Sequence, residues 1–165
     1  MSPLRSSSHA RPLNEVGHVL LVTSGGGHMT QLLHLRPWWE KRERTWVTFD
    51  TAETHSRLIG EHVLHAFHPT TRNLPNLLRN AALAASVLPR VRPDLVLSTG
   101  AGVAVPFFAV ARALGLPTVY VEVFDRIDSA TVTGRLCYPM SNLFLVQWPQ
   151  QRRLYPNARV VGGLI

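Results

Sequence analysis

A β-rich apolar run, His18-Val19-Leu20-Leu21-Val22-Thr23, stops abruptly at Ser24-Gly25-Gly26-Gly27. Apolar residues then recur at helical spacing as Leu32, Leu33 and Leu35. This unit, a short strand, a small-residue turn and a helix, constrains the fold more than any other feature, because the pattern repeats along the chain. Thr45 to Phe49 and His62 to Phe67 read as the next strands. From Arg72 to Arg90, Leu74, Leu77, Leu78, Ala81, Ala85 and Leu88 fall on one helical face, with Arg72, Asn73, Asn76, Arg79 and Asn80 on the other.

Leu95 to Ser98 reads as a fourth strand, followed by a second small-residue turn, Thr99-Gly100-Ala101-Gly102, and a helix over Val103 to Leu114. Gly115 is placed to cap that helix, and Pro117 precedes a strand at Thr118 to Val121. A short helix at Thr133 to Met140 and strands at Leu143 to Val146 and Arg159 to Val161 complete the pattern. Strands alternating with helices require right-handed crossovers. The predicted fold class is therefore α/β: a Rossmann-like, mostly parallel sheet with helices on both faces.

The 165 residues suffice for one buried core, and 45% hydrophobic against 16% charged residues fits a packed domain and not a disordered chain. Residues 1–15 are polar, carry Arg5 and Arg11, lack an apolar core and so are read as a flexible basic tail and not a signal peptide, with the domain at 16–165. No stretch reaches the ~18 apolar residues a spanning helix needs. Cys137, the single cysteine, excludes an internal disulfide and reads as a small core residue. The net charge of +7 comes almost wholly from arginine and attracts phosphates of any origin.

In such a sheet ligands bind beyond the carboxyl ends of the strands, which is where both glycine turns fall. Gly25, Gly26 and Gly27 let a ligand reach the backbone, and the amides that follow can hold a phosphate, although glycines also serve simply to make a tight turn. The dinucleotide fingerprint is incomplete, since Thr30 stands at its third glycine, although Asp50 lies where a ribose-binding acid would be. The Walker lysine is absent. His28, at the start of the helix, is a candidate general base, or else a cap of the turn.

Thr99, Gly100 and Gly102 of the second turn are candidate substrate contacts beside the first, with helix–strand packing as the alternative. Glu122 follows the fifth strand and is a second candidate base, and Arg126 is a candidate for binding an anionic substrate, although both are also placed as solvated loop charges. His55, His62, His65 and His68 suggest a metal, but His62 and His65 would point to opposite faces of a strand, so no metal is expected. In Arg36-Pro37-Trp38-Trp39-Glu40-Lys41-Arg42-Glu43-Arg44, the tryptophans fit either interfacial membrane anchors or one core side chain beside a charged helix end. No nucleic-acid motif accompanies the charge.

Together these residues resemble the oligosaccharide-biosynthesis glycosyltransferase accessory subunits. The family includes the membrane-recruiting subunit of the N-glycan UDP-N-acetylglucosamine transferase and bacterial capsule and exopolysaccharide subunits. The resemblance is carried by Ser24-Gly25-Gly26-Gly27-His28 with Gln31-Leu32-Leu33, by Trp46-Val47-Thr48-Phe49, and by Pro93-Asp94-Leu95-Val96-Leu97-Ser98-Thr99-Gly100. It continues through Val121-Glu122-Val123-Phe124-Asp125-Arg126, Gly134-Arg135-Leu136-Cys137-Tyr138-Pro139 and Leu145-Val146-Gln147-Trp148. The two glycine turns also resemble those of the peptidoglycan lipid-intermediate N-acetylglucosaminyltransferase.

The resemblance implies the N-terminal, acceptor-binding half of a two-lobed GT-B glycosyltransferase, with metal-independent inverting chemistry and a UDP-sugar as donor substrate. It implies a partner resembling a GT-B C-terminal lobe, into which the apolar end Val160-Val161-Gly162-Gly163-Leu164-Ile165 is suited to tuck. The expected reaction is sugar transfer to a lipid-diphosphate-linked saccharide, on the cytoplasmic face of the cell membrane, with negligible activity from this chain alone. Two departures from the family stand out. The N-terminal anchor of eukaryotic members is not found in this sequence, and three glycines stand where many relatives have two. Two other readings remain at this point: a non-catalytic scaffold that recruits a catalytic partner, and a small nicotinamide-nucleotide-binding protein.

Overall fold

The structure, a computed structural model, describes residues 12–164. Of the expected tail, residues 1–11 lie outside the described residues, as does Ile165; Leu13–Glu15 form a 3-10 turn whose Leu13 carbonyl accepts from Arg42 Nη2 at 3.0 Å.

The strands are β1 (His18–Val22), β2 (Glu43–Phe49), β3 (Val63–Ala66), β4 (Leu95–Ser98), β5 (Thr118–Val121), β6 (Leu143–Val146) and β7 (Arg159–Val160). The helices are α1 (Gly27–His34), α2 (Arg36–Trp39), α3 (Ala52–Arg57), α4 (Leu74–Val91), α5 (Ala104–Ala113) and α6 (Val132–Cys137). All seven strands are parallel, in the order β3-β2-β1-β4-β5-β6-β7. The order turns back between β1 and β4, which makes their carboxyl ends the switch point of the sheet. The Rossmann-like fold read from the sequence is the fold observed.

Successive residues of β1 feed opposite layers, as the period of a strand requires. Val19 and Leu21 pack with Met29 and Leu32 of α1 and with Trp39 and Trp46. Leu20 and Val22 pack with Ala84, Val87 and Leu88 of α4 and with Phe107 and Phe108 of α5. Both faces are covered, so the strands read as continuous apolar runs. Asp94 Oδ2 accepts from the amides of Gly17 and His18 at 2.9 and 3.0 Å, tying the start of β4 to the start of β1.

One expectation is corrected and one open alternative is decided. The polar side of α4 faces inward at its first half: Asn76 and Asn80 are buried, while Leu74 and Leu78 are each 63% exposed. The cause is the loop before the helix. Asn80 accepts from the Phe67 amide (2.8 Å) and donates to the Phe67 carbonyl (2.9 Å), and Asn76 Nδ2 donates to the Pro69 carbonyl (2.9 Å). Backbone groups partly shielded from water need partners, and the side-chain amides of Asn76 and Asn80 supply them. Of the two readings of the tryptophan pair, the structure bears out the core side chain beside a charged helix end: that residue is Trp39. It is 3% exposed, meets Trp46 edge-on at 5.4 Å and donates Nε1 to Leu32 O, and Trp38 lies half-buried beneath the Arg42 guanidinium.

Candidate functional site

The two glycine turns leave the carboxyl ends of β1 and β4, which are hydrogen-bonded neighbours, so they meet on one rim. They are stitched together directly. His28 Nδ1 lies 2.9 Å from the Thr99 carbonyl, and Thr99 Oγ1 donates to the His28 carbonyl at 2.7 Å. A carbonyl can only accept, so Nδ1 carries the proton and a neutral ring keeps its lone pair on Nε2. Gly100 is required beside this ring. Its φ is +114°, and a Cβ there would stand 2.9 Å from His28 Cε1 and 3.0 Å from the Tyr120 hydroxyl. Ala101 follows with φ +68°, a left-handed conformation that costs strain in a residue with a side chain.

The first turn already holds an anionic oxygen. Glu53 Oε2 accepts from the Gly26 amide at 2.9 Å, and Glu53 Oε1 pairs with Arg57 Nη1 at 2.9 Å. The same Arg57 nitrogen donates to Thr30 Oγ1 at 3.0 Å. The Gly26 bond, and then Arg57, hold the Glu53 carboxyl below the usual carboxylate range. Gly25, Gly26 and Gly27 therefore sit under a carboxylate delivered by α3.

Glu122 is elsewhere. Its carboxylate is fully buried, accepting from Val123 N (3.0 Å), from Thr131 Oγ1 (3.1 Å) and from the Tyr155 hydroxyl. The sequence reading set it on the rim as a base, but these three donors occupy it beneath the rim, away from any incoming hydroxyl. Its neighbours feel the charge. Burial, and then Glu122, push the Cys137 thiol and the Tyr155 hydroxyl well above their usual ranges, so both stay protonated. Arg126 is exposed on the loop after β5, while its backbone carbonyl accepts from Gln151 Nε2 at 3.3 Å.

A ladder of buried glutamines supports this edge. Gln147 Nε2 donates to Gln31 Oε1 at 2.6 Å and to the Glu122 carbonyl at 3.0 Å, linking β6 to α1 and β5. Gln151 accepts from the amides of Gln147 and Trp148 and donates to the Val123 carbonyl. Leu164 N donates to Gln147 Oε1, so part of the apolar end expected to enter a partner rests on its own chain.

With this geometry in place, comparison with known proteins is informative. The family described as "Oligosaccharide biosynthesis protein Alg14 like" matches residues 40–164. This chain belongs to the Alg14-like family. A human relative, UDP-N-acetylglucosamine transferase subunit ALG14, is 27% identical over 89% of this chain and 82% of its own length. Among solved structures, MurG of Acinetobacter baumannii superposes with a TM-score of 0.68 at 19% identity, over 81% of this chain and 42% of that one. The UDP-GlcNAc 2-epimerase of Methanocaldococcus jannaschii superposes with 0.68 at 16% identity, over 88% and 45%. The chain thus spans less than half the length of these solved structures, and the likeness is to the fold of a GT-B N-terminal lobe.

Within this Alg14-like chain, residues that carried the resemblance acquire physical roles. Gln31 and Gln147 are bonded to each other across 116 positions, and Gly134 lies where a Cβ would collide with Glu122, Tyr155 and Thr131 Oγ1. Sequence reasoning missed Glu53 and Arg57 because it placed no helix after β2. The signal was present: Thr51 is an N-cap residue, bonded to Thr54 N at 3.2 Å, and Glu53 and Arg57 stand four apart.

Proposed function

We propose that this chain is the acceptor-binding subunit of a two-chain inverting glycosyltransferase that moves a sugar from a UDP-sugar to a lipid-diphosphate-linked saccharide at a membrane surface. The observation that carries the reading is the stitched rim: two glycine turns at the switch point of the sheet, with His28 held between them by Thr99. With Nδ1 committed to a carbonyl, Nε2 has the lone pair to take a proton from an acceptor hydroxyl as it attacks the sugar. The Gly26 amide, which now holds a carboxylate oxygen, offers the same donor to a phosphate oxygen, with Arg57 beside it and Arg126 farther along the rim, on the loop after β5.

The partner chain holds the nucleotide, with uridine diphosphate as leaving group, and no metal enters the scheme. The relatives' names make UDP-N-acetylglucosamine the first donor to test. The deciding experiment is reconstitution with a GT-B C-terminal-lobe-like chain, using a short-chain lipid-diphosphate saccharide as acceptor. Transfer is expected from the pair and not from either chain alone. Full turnover by this chain alone would overturn the split-enzyme reading, and turnover by the pair that survives loss of His28 would leave this chain a recruiting scaffold.

A further inference from the structure

Residues 129–165 contain Arg135, Arg152, Arg153 and Arg159, and no aspartate or glutamate. The field over this end of the chain is therefore positive. Within it, where β6 and β7 begin, the fold leaves a cavity of about 310 Å³. Pro139, Leu143 and Phe144 give it apolar lining, and Tyr138, Asn142 and Arg159 give it polar groups. It lies at the amino ends of the strands, opposite the rim that carries the two glycine turns.

The polar groups are donors. Asn142 Oδ1 accepts from Thr118 N at 3.0 Å and from Thr118 Oγ1 at 3.2 Å. A backbone N–H can only donate, so the oxygen of this amide faces Thr118 and its NH2 is turned away. The Tyr138 hydroxyl accepts from the Asn157 amide at 2.8 Å, which leaves its own hydrogen to give. Its ring is held edge-on to Phe144, with centroids 5.0 Å apart. Arg159, paired in register with Leu145, is exposed on the edge strand. Among the described residues, neither the Asn142 NH2, the Tyr138 hydrogen nor the Arg159 guanidinium meets an acceptor. A charged side chain on an edge strand deters pairing with another chain. That role asks for no further donors beside it, yet three donor groups line one cavity here and no carboxylate does.

We propose that this cavity binds a small molecule bearing an oxyanion, a phosphate monoester or a carboxylate. Arg159, the Asn142 NH2 and the Tyr138 hydroxyl hold the charged head, and the body rests on Pro139, Leu143 and Phe144. A guanidinium presents its N–H groups as a fork that matches two oxygens of either head group. Ligand cavities run from roughly 300 Å³ upward, so this one takes a small metabolite and not a nucleotide sugar or a lipid-linked saccharide. Its occupant is therefore neither donor nor acceptor of the proposed transfer, and the site stands or falls independently of that reading.

Phenyl phosphate and benzoate, titrated into the full chain and followed by backbone amide shifts in NMR spectra, test this without any transfer assay. At least one of them is expected to bind with a Kd of about 1 mM or tighter and to shift the amides of Ser141, Asn157 and Arg159. Inorganic phosphate should bind about tenfold more weakly than phenyl phosphate, because it covers none of the apolar lining. Arg159→Gln should weaken binding by about tenfold. Asn142→Asp keeps the oxygen that faces Thr118 and replaces the free donor with an anionic oxygen. Melting should therefore hold while binding falls by about tenfold or more. Should Asn142→Asp lower the melting temperature, Arg159→Gln, at an exposed side chain, decides alone. Binding of either probe at these amides supports the oxyanion site, and the tighter probe names the head group. No binding of either at about 10 mM, shifts confined to Gly26, Gly27 and His28, or affinity indifferent to both variants overturns the proposal.

Discussion

His28 and Thr99, 71 positions apart in sequence, exchange two hydrogen bonds, one from each side chain to the other's backbone carbonyl. The pair fixes more than distance. Thr99 O selects the tautomer of the ring, and Thr99 Oγ1 holds the first peptide units of α1, so the base and the helix start that carries it are oriented together.

His28→Ala in the reconstituted enzyme is expected to lower kcat by about 10²- to 10⁴-fold, the usual share of a general base, and to cost about 1 kcal/mol of stability through the lost bond to the Thr99 carbonyl. Thr99→Val should act through His28 instead. Losing one hydrogen bond costs about 1 kcal/mol of stability, and the smaller rate loss should be accompanied by an altered pH–rate profile, since the ring is less firmly held. Single-turnover rates across pH, measured for both variants, check the assignment.

Glu53 occupies the Gly26 amide that an acceptor phosphate would need. Its carboxyl titrates below the usual range, so its bond to Gly26 is complete at neutral pH and is released as pH falls through that lowered value. Glu53→Gln is expected to tighten inorganic pyrophosphate binding by about fivefold at neutral pH, by removing a like charge and freeing Arg57. Wild-type affinity should rise toward the variant's as Glu53 protonates, while the variant's own affinity changes little over that window. Calorimetric titration at two pH values checks both.

Glu122 is predicted to be structural. Glu122→Gln replaces an acceptor-only carboxylate facing three donors with a group that brings donors of its own, at a cost of about 2–4 kcal/mol. For a chain of this size that lowers the melting temperature by about 5–15 °C. Gly134→Ala crowds the same cluster and should cost about 1–3 kcal/mol. Thermal unfolding reads both, and a stable Glu122→Gln with abolished kcat would return Glu122 to the list of bases.

Most of the fold was legible because parallel strands buried on both faces are continuous apolar runs, and because glycine turns punctuate them where helices begin. Gly25 to His28 and Thr99 to Gly102 were legible as a shared rim for the same reason. Glu122 was not placed correctly, because strand periodicity locates an acid at the end of β5 without revealing that Tyr155 and Thr131 return to meet it from 33 and nine residues away. Glu53 was missed because six residues make too short a helix for a periodic signal. The paired tryptophans were ambiguous until Trp46 on β2 was seen to face Trp39.

The face of α4 was read backwards for a related reason, and it yields the last prediction. Hydrophobic periodicity assumes that the interior is apolar at every turn. Here the inner face of the helix meets the part-buried backbone of the Phe67 to Pro69 loop, whose groups bond to Asn80 and Asn76. Asn80→Leu, which follows the sequence pattern, should therefore destabilise by about 1–3 kcal/mol, since it takes the partner from a part-buried amide and a part-buried carbonyl at once. Leu78→Gln, which violates the pattern, should change stability by no more than about 0.5 kcal/mol, because its side chain leaves water on neither side of the folding transition. Urea unfolding of the two variants separates the faces: equal losses, or a larger loss for Leu78→Gln, would mean that the leucines face inward.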